Sequence, residues 1–158
     1  MNILITGGTG FIGQALVKAL RDNHHTVVVF CRDIEKAKRI LGSSVEYVYY
    51  FRDINTPIDA VINLAGEPIM DQRWSKKRKY QLRASRLDVT RHLVKWMSKV
   101  EQPPKVLITG SAIGYYGNHP DDTVLDEQGK AHRCFPSFLW QEWEFEALKA
   151  RSLSERVC

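Results

Sequence analysis

The chain has 158 residues, 44% apolar and 26% charged, with a formal net charge of +5 and a pI near 9.2. That is enough apolar material for one domain with its own core, while no apolar run approaches the roughly 18 residues of a membrane span. Cys31, Cys134 and Cys158 form neither a CxxC pair nor a metal-ligand spacing, which argues against a disulfide scaffold and suits a reducing, cytoplasmic setting.

The first strand is predicted at 2–6, directly after Met1, which leaves no room for a targeting segment. Gly7-Gly8-Thr9-Gly10-Phe11-Ile12-Gly13 follows and opens an apolar-periodic helix at 11–22. Strand, glycine turn and helix start in that order make a phosphate-binding device. Gly7 permits the sharp turn, Gly10 admits a diphosphate against the backbone, and Gly13 lets helix and strand pack closely. Free N–H groups and the positive end of the helix then face the anion. The same glycines would also serve a bare βα turn, but the flanking strand and helix are the context a dinucleotide site requires. All seven residues are therefore candidate coenzyme contacts.

The second strand, 26–32, ends in Cys31-Arg32, and Arg32 stands 19 residues after Gly13. An NAD site usually has Asp or Glu near this place to hold the ribose 2′-OH. A guanidinium instead pairs with a 2′-phosphate in a bidentate way, so the charge favours NADP(H), with Cys31 counted beside Arg32 at the ribose. A merely solvated Arg32 is the alternative. Asp33 is read as the N-cap of a helix over 34–41 rather than as a ribose ligand.

Further strands are predicted at 45–51, 60–65 and 105–110, and further helices at 75–100 and 136–151. Only eight residues separate Phe51 from Ala60, too few for a helical crossover. Extended, they reach roughly 27 Å, so a helix-free connection is expected there unless the third strand is misplaced. Alternation of this kind builds a doubly wound parallel sheet of the Rossmann type, with helices on both faces. Leu64, Ala65 and Gly66 end the fourth strand beside the glycine turn and would line the coenzyme. Glu67 next to them could orient a ribose or act as a base. In the long helix, Leu82, Leu87, Thr90, Leu93, Val94, Met97 and Val100 share one face. Its basic start, Lys76-Lys77-Arg78-Lys79, reads as a solvated face; no base-reading module accompanies it, so no nucleic-acid partner is expected. His119 and His132 flank Asp121-Asp122, but no ligand spacing supports a metal.

These pieces resemble the extended short-chain dehydrogenases/reductases, the NAD-dependent epimerase/dehydratase superfamily. Asp59-Ala60-Val61-Ile62-Asn63-Leu64-Ala65-Gly66-Glu67-Pro68-Ile69, Trp74, Ser85-Arg86, Ser111-Ala112-Ile113-Gly114-Tyr115-Tyr116-Gly117 and Trp143-Glu144 narrow the likeness to an atypical branch, the YfcH-like NADP-dependent oxidoreductases. The resemblance implies a protein about twice as long, in which the absent part carries most of the substrate pocket; Val157-Cys158 then reads as the start of a sixth strand. It also implies roles. Ser111, after the fifth strand, matches the superfamily serine that holds the substrate oxygen and is the candidate catalytic residue, a self-satisfied loop hydroxyl being the alternative. Arg86 replaces the usual helix Asn and would reach phosphate or ribose, with Gln81 as a weaker helper. Pro136 and Trp140 stand where the superfamily has its Tyr and Lys. No lysine here has a tyrosine four residues before it, so the YxxxK acid/base pair is absent. Tyr115 and Tyr116 are nearby proton donors or packing aromatics. The reading is an NADP(H)-binding oxidoreductase of unnamed small-molecule substrate or, without the Tyr/Lys pair, a non-catalytic NADP(H) sensor.

Overall fold

The computed structural model describes residues 1–120 and 122–158, so of the Asp121-Asp122 pair only Asp122 lies within the described residues. Among these residues six strands form one sheet: β1 Asn2–Thr6, β2 Thr26–Phe30, β3 Glu46–Val48, β4 Ala60–Asn63, β5 Val106–Thr109 and β6 Arg156–Val157. The order across the sheet is β3-β2-β1-β4-β5-β6, and all the pairings are parallel. Four α-helices accompany them: α1 Phe11–Asp22, α2 Ile34–Leu41, α3 Lys76–Met97 and α4 Phe135–Leu148. The chain starts at the centre, winds outward through α1 and α2, then returns to β4 beside β1 and winds the other way. Right-handed crossovers in opposite directions put the two helix pairs on opposite faces. The reversal between β1 and β4 opens a crevice at the carboxyl ends of the strands.

Each face has its own core. Val17 of α1 and Ala37 and Leu41 of α2 pack on Ile3, Ile5, Val27 and Val29. On the other face, Leu93 and Met97 of α3 and Ala147 of α4 pack on Leu4, Val28, Val61 and Leu107. The central strands are thus apolar on both sides, as parallel strands covered by helices require.

The short β3–β4 connection contains no α-helix; a single 3-10 turn, Phe51–Asp53, takes its place. The predicted third strand ran to residue 51, whereas β3 stops at Val48. Phe51 turns inward instead, stacking on Phe30 with ring centroids 4.1 Å apart and planes 3° off parallel, and lying 6.1 Å from Trp96. Ring burial outweighs three more residues of edge pairing. Asp33 caps α2 as read, its side chain accepting from the Lys36 amide. The last helix ends at Leu148 and tightens into a 3-10 turn over Lys149–Ser152. A two-residue sixth strand does pair with β5 at the end of the chain. No described helix is long and apolar enough to cross a membrane.

Candidate functional site

The three key glycines of the turn do different jobs. Gly7 has φ +72°, and a Cβ on it would sit 2.5 Å from the Leu64 carbonyl oxygen; the turn passes that close to the end of β4. A Cβ on Gly13 would overlap the Gly7 carbonyl and lie 2.7 Å from Gly8 Cα, so the fold itself excludes a side chain there. Gly10 is different. It is exposed, and a Cβ on it would meet only the Gly7 oxygen, at 3.2 Å. The space before Gly10 is open, as a ligand lying against the backbone would need. Helices α2 and α3 receive side-chain caps from Asp33 and Ser75, but α1 begins on Gly10 with no side-chain cap and no acid in its first turn. Its first-turn amides and positive end therefore remain available to an anion. Gln14 Nε2 steadies the turn by donating to the Thr9 carbonyl at 2.9 Å. Phe11 and Ile12 lie exposed on the first turn, Phe11 at 95%.

On the other side of β1, Leu64–Glu67 forms a loop held by buried charge. Arg86, only 7% exposed, donates to the Glu67 carbonyl at 2.9 Å and the Leu82 carbonyl at 3.2 Å. Its guanidinium lies 5.0 Å from the Trp140 ring centre and 5.5 Å from that of Trp143. A Cβ on Gly66 would come 2.7 Å from Arg86 Cζ, so Gly66 rests on the guanidinium plane. Burial pushes the Arg86 pKa down, with the Glu67 charge opposing. Arg86, expected to reach phosphate or ribose, spends the bonds seen here on the protein's own backbone, the Ser85 hydroxyl and two indole faces. Gln81 is exposed on α3. Cys31 turns into the α2-side core, where burial raises its thiol pKa.

Glu67 sits between two arginines. Arg32 Nη2 donates to its Oε1 at 3.1 Å, and Arg78 Nη1 lies 3.5 Å from its Oε2. The Arg32 hydrogen bond, above all, and Arg78 hold the Glu67 carboxyl below the usual carboxylate range, against the opposing effect of burial. The sequence places Arg78 in a solvated basic face; in the structure it is buried at 7% exposure and donates to the Pro68 carbonyl at 2.6 Å.

Beneath the crevice lies a buried set of polar side chains. Thr6 Oγ1 donates to Asn63 Oδ1 at 2.7 Å. Asn63 Nδ2 donates to Thr90 Oγ1 at 2.9 Å and Thr109 Oγ1 at 3.1 Å. Thr90 Oγ1 also accepts from Trp143 Nε1 at 2.9 Å and donates to the Arg86 carbonyl at 2.8 Å. The Ala65 amide closes the set on Thr6 Oγ1 at 3.1 Å. Three strands and two helices are joined there with donors matched to acceptors.

At the far end, Ser111 follows β5 and is exposed. Its hydroxyl donates to Glu144 Oε1 of α4. Both residues line an open cleft of about 370 Å³ with Ala112, Tyr115, Tyr116 and Glu127. A hydroxyl polarised by a carboxylate can hold a substrate oxygen and relay a proton. Trp140, in the place the resemblance gives to lysine, is buried and lends its ring to Arg86 instead.

A profile of the NAD dependent epimerase/dehydratase family matches residues 3–136. The chain belongs to this family. It is 35% identical over 158 residues to an Arabidopsis thaliana chloroplastic homologue of epimerase family protein SDR39U1, covering 95% of this chain and 45% of that protein. Against the Mycobacterium leprae epimerase family protein ML0860 it is 37% identical, covering 98% of this chain and 50% of the relative. Among solved structures it is similar to human epimerase family protein SDR39U1 (isoform 2) with NADPH, at TM-score 0.75 and 31% identity over 93% of this chain and 48% of that one. A UDP-galactose 4-epimerase at 21% identity and TM-score 0.78 shares the fold. The chain thus spans about half the length of the relatives it matches.

Two residues of this epimerase-family chain take places in the site that the sequence alone does not assign them. Arg78 lies four residues before Leu82 and eight before Arg86, on the stripe that continues to Thr90; an arginine on an apolar stripe signals a buried, partnered guanidinium. Glu144 entered only through the Trp143-Glu144 likeness. No spacing in the sequence ties this glutamate of α4 to Ser111, 33 residues earlier.

Proposed function

We propose that the chain carries the coenzyme site of an NADP(H)-dependent oxidoreductase of epimerase type, working on a small-molecule substrate. The observation that carries this reading is the open, uncapped start of α1 at Gly10, with Arg32 two residues past the end of the neighbouring strand β2. The human relative solved with NADPH supports it. In this reading the Gly7–Gly13 turn holds the diphosphate, Arg32 the 2′-phosphate, and Leu64–Gly66 the floor. A bound nicotinamide supplies hydride exchange with a carbon–oxygen centre. When a substrate alcohol is oxidised, Ser111 Oγ accepts the substrate hydroxyl hydrogen and passes its own to the Glu144 carboxylate, in place of the missing Tyr/Lys pair. Three free cysteines fit a reducing compartment such as the cytoplasm.

Calorimetry with NADPH tests the site. Wild-type protein should bind it, and Gly10→Val should lose at least 100-fold in affinity while keeping its fold, because a side chain would occupy the diphosphate position. Unchanged affinity in the variant would remove the coenzyme from this turn. A second reading, a non-catalytic NADP(H) sensor, is favoured by Trp140, an indole that cannot lower a phenol's pKa. Stereospecific loss of label from C4 of NADPH to a carbonyl substrate supports the enzyme; tight binding without transfer supports the sensor.

A further inference from the structure

The loops that carry Arg32 and Glu67 follow β2 and β4, the two strands flanking β1. A contact between them must pass over the carboxyl end of β1, where the glycine turn begins. Arg32 and Glu67 make that contact at 3.1 Å.

The two partners are held very differently. Glu67 is pinned through its backbone: its amide donates to Ser85 Oγ at 3.0 Å, and its carbonyl accepts from Arg86 at 2.9 Å. Its carboxylate is 29% exposed and has Arg78 behind it, only 8% exposed. The Arg32 side chain is 81% exposed, and its one hydrogen bond among the described residues is to Glu67. Glu67 is the fixed anion and Arg32 the solvent-facing cation. To a guanidinium, a carboxylate and a phosphate monoester offer the same thing, anionic oxygens at hydrogen-bonding distance.

We propose that Glu67 is an internal surrogate for the coenzyme 2′-phosphate. It occupies Arg32 when no phosphate is present, competes with the phosphate when one arrives, and so sets how strongly the chain prefers the phosphorylated coenzyme. This rests on the NADP(H) reading above and names a specificity residue within it. The carboxylate costs affinity twice: Arg32 must give up a bond, and a negative charge stays near the incoming dianion. NADH makes neither demand, because its ribose carries no phosphate. Arg78 keeps Glu67 ionised and in place, so the competition persists at neutral pH.

The test is a binding cycle by calorimetry at fixed, moderate ionic strength, with NADPH and NADH, on wild type, Glu67→Gln, Arg32→Ala and the double variant. Glutamine keeps the shape and the backbone bonds of the loop, and an unchanged circular-dichroism spectrum with a single cooperative unfolding step confirms the fold. Glu67→Gln should bind NADPH about fivefold more tightly, the scale of an exposed ion pair, with NADH changed less than twofold. In the Arg32→Ala background the same substitution should lose most of this gain, because the bond competed for is gone. If Glu67→Gln leaves NADPH affinity unchanged, weakens it, or shifts both coenzymes equally, the surrogate role is wrong and the coenzyme site stands. If wild type binds neither coenzyme, the NADP(H) reading itself falls and takes this role with it.

Discussion

At the α1 end of the crevice the chain presents backbone. Gly10 leaves the start of α1 uncovered, Gly7 and Gly13 let the turn close on β4 and on itself, and the wall opposite is a loop clamped by buried arginines. At the α4 end it presents side chains: Ser111, Glu144, Tyr115 and Tyr116 line an open cleft, and one hydroxyl–carboxylate bond ties Ser111 to α4. The first end is shaped by steric exclusion and changes little without breaking the turn. The second is a set of exposed groups that substitution can alter one at a time. Recognition of a constant ligand suits the former, and chemistry that differs between family members suits the latter.

The difference can be challenged directly. The largest effect belongs to Gly13→Ala. Its Cβ would collide with Gly7 and Gly8 backbone, so the turn must open, at a cost of about 3 kcal/mol in unfolding free energy. Urea denaturation measures it; a loss under 1 kcal/mol would mean the turn is softer than its geometry. Next is Arg32→Ala, which should weaken NADPH by about 1.5–3 kcal/mol, the worth of a charge-assisted bond, and NADH far less. Titration of both coenzymes decides, and equal losses would return Arg32 to the solvated surface. Thr90→Val removes the shared hydroxyl below both ends and strands the Trp143 N–H and one Asn63 amide hydrogen, the other staying on Thr109. A loss of about 1–3 kcal/mol in stability is expected, read from the same denaturation curves.

Acid supplies a smaller effect with a fixed sign. The folded Glu67 pKa lies below its ordinary value, chiefly through the Arg32 hydrogen bond. Its ion pairs therefore stabilise the protein fully above the unfolded glutamate pKa of about 4.3, and that contribution is lost as pH falls through the lower folded value. Glu146 behaves alike, because its bonds to Lys149 and Arg91 outweigh its burial. Melting temperatures should thus fall less steeply below pH 4 in Glu67→Gln than in wild type, each relative to its own value at neutral pH. Parallel curves would show that the Glu67 pairs add nothing. The smallest change is expected from Ser111→Ala. An exposed hydroxyl should alter stability by no more than about 0.5 kcal/mol and leave NADPH affinity unmoved, while lowering any turnover.

The α1 end was legible because its device is local. Seven consecutive residues carry the turn, and the strand and helix beside them carry its context. The helix-free link after β3 was legible from chain length alone. The early end of β3 was not, since it depends on Phe30 and Trp96 meeting Phe51 from distant positions. The arginine clamp escaped for the same reason. In the sequence Arg78 looks like a surface cation and Arg86 like a coenzyme contact, until Pro68, Glu67 and two tryptophans from α4 close around them. Ser111 could be placed from its strand, but its acidic partner lies 33 residues on, and no spacing rule links the two.

The Thr90 hydroxyl takes N–H bonds from β4 and from α4 while giving its own hydrogen to α3. No one of these elements can loosen without breaking a bond in the others. Deuterium uptake at the Leu64 and Ala65 amides, both of which donate to Thr6, should therefore track whole-molecule opening rather than local fraying. The crevice would then receive its ligand on a rigid base, with accommodation left to the exposed arms of Arg32 and Ser111.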